Sequence, residues 1–245
     1  MLASVLAASG IRTVIFSTSP AALIDERGIA SARKAVAALR KSHPKASRTR
    51  LVNQLIRNHC VRAGAVGGAT TAVGMIPALG KLGQWALGLV GDAAATAQLQ
   101  TSMVLQIFAI YDREPDSDEE KKVLTWIATV GAGGGEVLEQ LGMSVARRLT
   151  KSFAGKLLGK GLPWLEVSLS TATHVGSTYL IGQRAWLYCE LDGDEAAIAD
   201  REDAQQSLDP RRLARWAKQA LGKTLETAEG AGLSVLAAIR RVIRR

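Results

Sequence analysis

Between Arg62 and Asp92 the chain carries one charge, Lys81, and the surrounding apolar block is broken up by Gly64, Gly67, Gly68, Gly74, Gly80 and Gly91 around Met75-Ile76-Pro77-Ala78-Leu79. This block, residues 62–91, constrains the fold more than any other feature. The 18 uncharged residues at 63–80 would measure about 27 Å as a helix, close to the thickness of a bilayer core. Glycine inside a helix costs about 1 kcal/mol relative to alanine and proline breaks the hydrogen-bond ladder, so one straight spanning helix is not expected. The expectation is two short helices hinged near Pro77, buried in protein or re-entrant in a membrane. Spacing such as Gly64-x-x-x-Gly68 lets helix backbones approach closely in either setting.

Further charge-free runs cover 82–91, 93–111, 123–135 and 167–183. Aromatic residues make up only 4% of the chain, and period-two alternation is hard to find, which predicts an all-α fold. The expected architecture is a compact multi-helix bundle with glycine-rich helical hairpins and amphipathic basic terminal helices. A helix is predicted over 20–43, with Ser19 as cap, Pro20 in the first turn and Pro44 as stop. A second, about 48–62, places Leu51, Val52, Leu55, Ile56 and His59 on one arc. A third is expected over 93–111, with Asp92 at its cap. Helical stretches over 121–130 and 136–160 flank Gly131-Ala132-Gly133-Gly134-Gly135. After a turn at Gly161-Leu162-Pro163-Trp164, an apolar helix follows over 165–190, with Gly176 as a candidate break. Asp209-Pro210 opens a basic helix to about Leu221.

The net charge is +9, and its distribution matters more than its total. Within residues 1–62, eleven Lys/Arg stand against Asp25 and Glu26, whereas 63–190 and 191–245 are close to neutral. A basic segment beside an apolar block points to an anionic membrane surface or lipid, or to a membrane-protein partner. No interleaving of basic and aromatic residues suits single-stranded nucleic acid, which is not expected as a partner. Cys60 and Cys189 are too few for a disulfide framework, and the start Met1-Leu2-Ala3 lacks a charged region ahead of its apolar stretch. The expected location is cytoplasmic, peripheral or partly inserted at the inner face of the cytoplasmic membrane. At the far end, Val235, Leu236, Ile239, Val242 and Ile243 share a helical arc with Arg240, Arg241, Arg244 and Arg245 facing away. That pattern suits an interfacial membrane helix, and equally a helix docked on the protein's own surface.

With these segments placed, the chain resembles the EcsC family. The likeness rests on Ile76-Pro77 and Gly91-Asp92 followed by a helix with Gln100 and Tyr111, on the loop Arg113 to Glu120, and on Leu157-Leu158-Gly159-Lys160-Gly161-Leu162-Pro163 with the small-residue helix through Gly176, Gly182, Arg184 and Ala185. It covers roughly residues 50–190. Departures are Tyr111-Asp112 in place of the family's Tyr-Gly, and Ser177-Thr178 where the family often carries Asn. The resemblance implies a helical, membrane-associated protein and supplies no reaction. The chain divides accordingly into a basic helical segment (1–48), a glycine-rich EcsC-like helical domain (49–190), and an acidic linker with basic amphipathic C-terminal helices (191–245).

Asp92 is the only charge between Lys81 and Asp112. A carboxyl group held in an apolar region would carry a raised pKa and could move protons or bind a cation. A helix cap is the simpler role for Gly91-Asp92-Ala93. Gln98, Ser102 and Gln106 form a polar stripe at i, i+4, i+8, and His174 lies in the polar stretch Ser168 to His174. Asp92, Gln98, Ser102, Gln106 and His174 therefore form the candidate polar site. No second ligand stands at metal spacing from His174, so no metal or cofactor is expected. His59 and Cys60 are adjacent and diverge on a helix, which argues against a dyad. Gly131 to Glu136 lacks the third glycine and the downstream acid of a dinucleotide loop. No catalytic residue is assigned. Trp164 and Trp186 bracket the last apolar segment, which suits an interfacial belt or ordinary packing.

The leading expectation is a membrane-associated helical protein that binds lipid or a membrane partner without catalysis, with a possible link to transport. The alternatives are an enzyme or proton- or ion-handling protein built around Asp92 and His174, and a soluble helical scaffold.

Overall fold

A computed structural model describes residues 24–74, 89–115, 117–131, 142–149, 163–204 and 210–230. Pro77, the glycine run after Gly131, and the terminal segment with Val235, Leu236, Ile239, Ile243, Arg240, Arg241, Arg244 and Arg245 lie outside the described residues, as do Ser19 and Pro20. The described residues form an all-helical bundle.

The first helix, α1 (Glu26–Ser42), starts later than expected because Asp25 caps it: its Oδ1 accepts from the Gly28 N–H at 2.7 Å. Glu26 in the first turn and Arg40 and Lys41 in the last complement the helix dipole. The His43 N–H closes the helix onto Leu39 O and Arg40 O, one residue before Pro44. Ala32 and Val36 are buried against the core, with Ile24 and Ile29 packed there as well.

While the expected hinge near Pro77 lies outside the described residues, helix α2 (Arg48–Gly74) extends past its expected end near residue 62. It runs without interruption through Gly64, Gly67 and Gly68, because these glycines serve as contact surface. A Cβ on Gly64 would lie 2.6 Å from Val175 Cγ2 and 2.9 Å from Ala220 Cβ. The cost of glycine in the helix is offset by the close approach it permits to two neighbours. Helix α3 (Leu89–Ile110) begins before Asp92, so Asp92 is a residue of the helix and not its cap. Helix α4 (Ser117–Gly131) reaches the expected glycine break. A helical stretch over 142–149 buries Val145, Ala146 and Leu149.

Helix α5 (Pro163–Glu190) passes unbroken through the buried Gly176. The acidic linker contains a short helix, α6 (Glu195–Ala204), capped by Asp194, whose Oδ1 accepts from the Ala196 and Ala197 N–H groups. Helix α7 (Pro210–Gly230) is longer than predicted. Its apolar face, Leu213, Trp216, Ala217, Ala220 and Leu221, is buried in the bundle.

Contacts give the helix directions. Ile56, Gly64 and Gly68 on α2 meet residues 182, 175 and 171 on α5, so these helices are antiparallel. Gln100, Met103 and Phe108 on α3 meet 178, 182 and 188 on α5, so these two are parallel. Asn53, Gly64 and Gly68 meet 212, 220 and 224 on α7, which therefore runs alongside α2 in the same direction. Both α3 and α5 end in an aspartate in the left-handed region, Asp112 (φ 58°) and Asp192 (φ 53°). In each case the next residue closes the cap, with Arg113 N–H to Phe108 O and Gly193 N–H to Tyr188 O.

Candidate functional site

The predicted polar residues divide between structural roles. At the α2–α5 seam, a Cβ on Gly67 would overlap the His174 ring, so the imidazole is seated directly on the α2 backbone. His174 Nδ1 is 2.8 Å from Ser170 O, and because a carbonyl only accepts, that nitrogen carries the hydrogen. Ser170 Oγ donates to Gly67 O at 3.0 Å and Thr224 Oγ1 donates to Ala65 O at 3.1 Å. Hydroxyl groups of α5 and α7 here bind carbonyls of α2, and the imidazole binds a carbonyl of its own helix. Thr171 Oγ1, also on this seam, has no hydrogen-bond partner among the described residues.

The stripe on α3 turns elsewhere. Gln106 Nε2 donates to Ser102 Oγ at 2.9 Å, and the Gln106 side chain bonds to His59 on α2. Gln98 is half-buried. His59 and Gly67 are about 12 Å apart along α2, so Gln106 and His174 belong to different levels of the bundle. The buried polar contact between α3 and α5 is made by Gln100, whose Nε2 lies 3.4 Å from Ser177 Oγ and 3.3 Å from Thr178 Oγ1. The stripe pattern missed Gln100 because α3 is uncharged all round from 93 onward and periodicity alone leaves its buried face open. Trp186 is a packing residue, with Nε1 donating to Tyr111 Oη at 2.9 Å.

Burial holds His59, Cys60 and Cys189 in their neutral forms. Burial, reinforced by the Arg62 charge, lowers the His59 pKa to about 4 against a small opposing effect of Gln106, so the ring is neutral near pH 7. Burial pushes the Cys189 thiol up to about 12 and the Cys60 thiol up as well, and a protonated thiol is a poor nucleophile. Among the described residues no three His, Cys, Asp or Glu side chains are grouped to hold a metal.

Charge gives the molecule a clear asymmetry. The loop after α3 gathers cations of α1 and the start of α2: Arg40 reaches Asp112 at 3.2 Å and donates to Ile110 O at 2.8 Å, Arg48 reaches Asp112 at 3.4 Å, and Arg33 pairs with Glu114. Arg113 bonds Glu119 at 2.6 Å and Asp192 at 2.7 Å, clasping the ends of α3 and α5 together. Arg33, Arg40 and Arg48 each therefore have a carboxylate partner within the fold.

A different face remains cationic. Residues 48–74 and 210–225 contain no acid. Arg50, Arg62 and Arg215 are exposed. Arg57 Nη2 donates to Gln219 Oε1 at 3.2 Å, and Arg212 Nη2 donates to Asn53 Oδ1 at 2.8 Å. These five arginines have no carboxylate partner among the described residues. The sequence signal for this face was the spacing Arg211, Arg212, Arg215, Lys218 opposite Leu213, Trp216 and Ala217, which makes α7 amphipathic.

No helix among the described residues is long and apolar enough to cross a membrane. No family model, curated protein or solved structure matches the chain.

Proposed function

We propose that this protein is a non-catalytic helical bundle, related to the EcsC family, that binds the anionic cytoplasmic surface of a membrane through the face made by α2 and α7. The observation that carries the reading is that Arg50, Arg57, Arg62, Arg212 and Arg215 have no carboxylate partner among the described residues. Each cation near an anionic leaflet contributes about 1 kcal/mol, so a handful suffices for reversible attachment. The apolar side of α7 is buried in the bundle, which favours a peripheral, electrostatic contact over insertion of that helix. Trp216 is buried too, so this face offers no exposed ring for stacking bases and lipid is favoured over single-stranded nucleic acid. The Arg-rich segment 240–245 would add to the same attraction.

Co-sedimentation with vesicles of neutral phosphatidylcholine, with and without phosphatidylserine, tests this. Binding should require the anionic lipid and weaken steeply with salt, since exposed charges are screened within about 10 Å at 0.1 M. Equal binding to neutral and anionic vesicles, or none to either, would overturn it.

A further inference from the structure

The arrangement on the α2–α7 face is more specific than a cationic patch. Arg57 and Arg212 are each held by one amide oxygen, of Gln219 and Asn53, and each of these bonds bridges the two helices. Asn53 and Arg57 stand one turn apart on α2, about 6 Å along its axis, so the two bridges are neighbouring rungs. The Arg212 guanidinium also lies over the Trp216 ring, 4.6 Å from its centroid. An amide acceptor fixes the orientation of a guanidinium without cancelling its charge. A carboxylate in the same place would have done both, as Glu119 and Asp192 do to Arg113. Each bond occupies one of the five N–H groups of its guanidinium, and the remainder have no partner among the described residues. Arg215 stands one turn beyond Arg212 on α7, and Arg50 lies on the same side of α2 as Asn53 and Arg57.

We infer that these rungs form a subsite for a phosphomonoester, carried by the headgroup of an anionic phospholipid such as phosphatidic acid. A terminal phosphate presents several oxygens and up to two charges, which matches a pair of oriented forks better than the single carboxylate and phosphodiester of phosphatidylserine. Prior orientation of the forks reduces the entropy lost on binding. This inference rests on the membrane-surface reading and sharpens it from charge to headgroup.

The test compares vesicles containing phosphatidic acid with vesicles containing phosphatidylserine, matched in surface potential. The wild-type protein should prefer phosphatidic acid by about tenfold. The double variant Arg57→Lys, Arg212→Lys keeps the charge and loses the fork, so it should lose that preference and keep its binding to phosphatidylserine. A second double variant, Asn53→Leu with Gln219→Leu, keeps both guanidiniums and removes their holders, and should lower the preference as well. Circular dichroism melting confirms that each variant is folded. Equal wild-type binding to the two vesicle types overturns the subsite, as does a lysine variant that retains the preference. In either case, continued dependence on anionic lipid leaves the broader reading standing. Full competition by millimolar inorganic phosphate would show a site for soluble phosphate and overturn the lipid assignment. Displacement of the protein from both vesicle types by duplex DNA, at concentrations where phosphate has no effect, would overturn it in favour of nucleic acid.

Discussion

Arg113 lies 5.5 Å from the centroid of the Tyr188 ring and Arg212 lies 4.6 Å from that of Trp216, yet the two regions that contain them differ in every other respect. At the end of α3 and α5, Arg113 is held by Glu119 and Asp192, Tyr188 Oη donates to Glu119 at 3.2 Å, and Lys122 and Arg184 both reach Glu195. Charge there is neutralised within the fold and joins helices. On the α2–α7 side Arg57 and Arg212 meet amides, Arg50, Arg62 and Arg215 are exposed, and none of the five has a carboxylate partner among the described residues. Total charge does not separate the two regions. What separates them is whether a carboxylate accompanies each cation.

The largest expected effect concerns His59, which faces α3 from the helix that carries Arg57 and Arg62. His59 is buried with Nδ1 unpartnered among the described residues, and the Arg62 charge adds to burial in lowering its pKa to about 4 from 6.5. The unfolded chain takes up this proton below pH 6.5, whereas the folded chain resists until about pH 4. The neutral ring therefore contributes stability that is fully present above pH 6.5 and is lost as pH falls toward 4, about 3 kcal/mol in all. Urea midpoints at pH 7, 5.5 and 4.5 measure the slope, and His59→Gln should flatten it relative to wild type. Arg62→Gln should reduce the loss, most clearly at pH 4.5, because removing a like charge raises the folded-state pKa. An unchanged slope in His59→Gln would mean that another group carries the pH dependence, and an unchanged slope in Arg62→Gln that this charge has no hold on the ring.

Reversing charge on the open face comes next. Arg57→Glu with Arg215→Glu should weaken binding to anionic vesicles by about 2 kcal/mol or more, roughly thirtyfold, through loss of two cations near the surface. Stability should change by less than about 1 kcal/mol, since neither arginine is paired with an acid among the described residues and Arg215 is exposed. The mirror experiment is Glu119→Ala at the neutral end. It removes a nearly buried acceptor of both Arg113 and Tyr188, and should cost about 1.5 kcal/mol of folding stability without altering vesicle binding. If either variant moved both readouts equally, the division of labour between the two regions would collapse.

Part of this organisation was legible in the sequence and part was not. The all-helical class followed from composition and period, and the stop at Pro44 followed from local chemistry. Gly64-x-x-x-Gly68 reads as spacing for close approach and Gly176 as a candidate break, but a glycine that ends a helix and one that admits a neighbour look alike locally. The difference lies in Val175, Ala220 and His174, which come from elsewhere in the chain. The same non-locality hid the fate of the α1 cations: Arg33 and Arg40 meet partners more than seventy residues away. Likewise the stripe of Gln98, Ser102 and Gln106 was visible, whereas the buried contact of Gln100 depended on which side of α3 meets α5.

The smallest expected effect addresses that silencing directly. Arg33 and Glu114 are paired with more than half of each side chain still exposed, so breaking the pair should change stability by no more than about 0.5 kcal/mol. Its consequence lies in the field instead. Glu114→Gln leaves Arg33 without its counter-charge and raises the net charge of α1's surroundings by one. If pairing is what keeps α1 from acting on a membrane, affinity for anionic vesicles should rise by up to about 1 kcal/mol, roughly fivefold, and the rise should vanish in high salt. The same substitution in an Arg33→Ala background should give a smaller gain, because one of the unmasked charges is gone. A rise of equal size in both backgrounds would show that Glu114 acts by repelling the membrane itself, and the contrast between neutralised and open cations would then need no ion pair at this position.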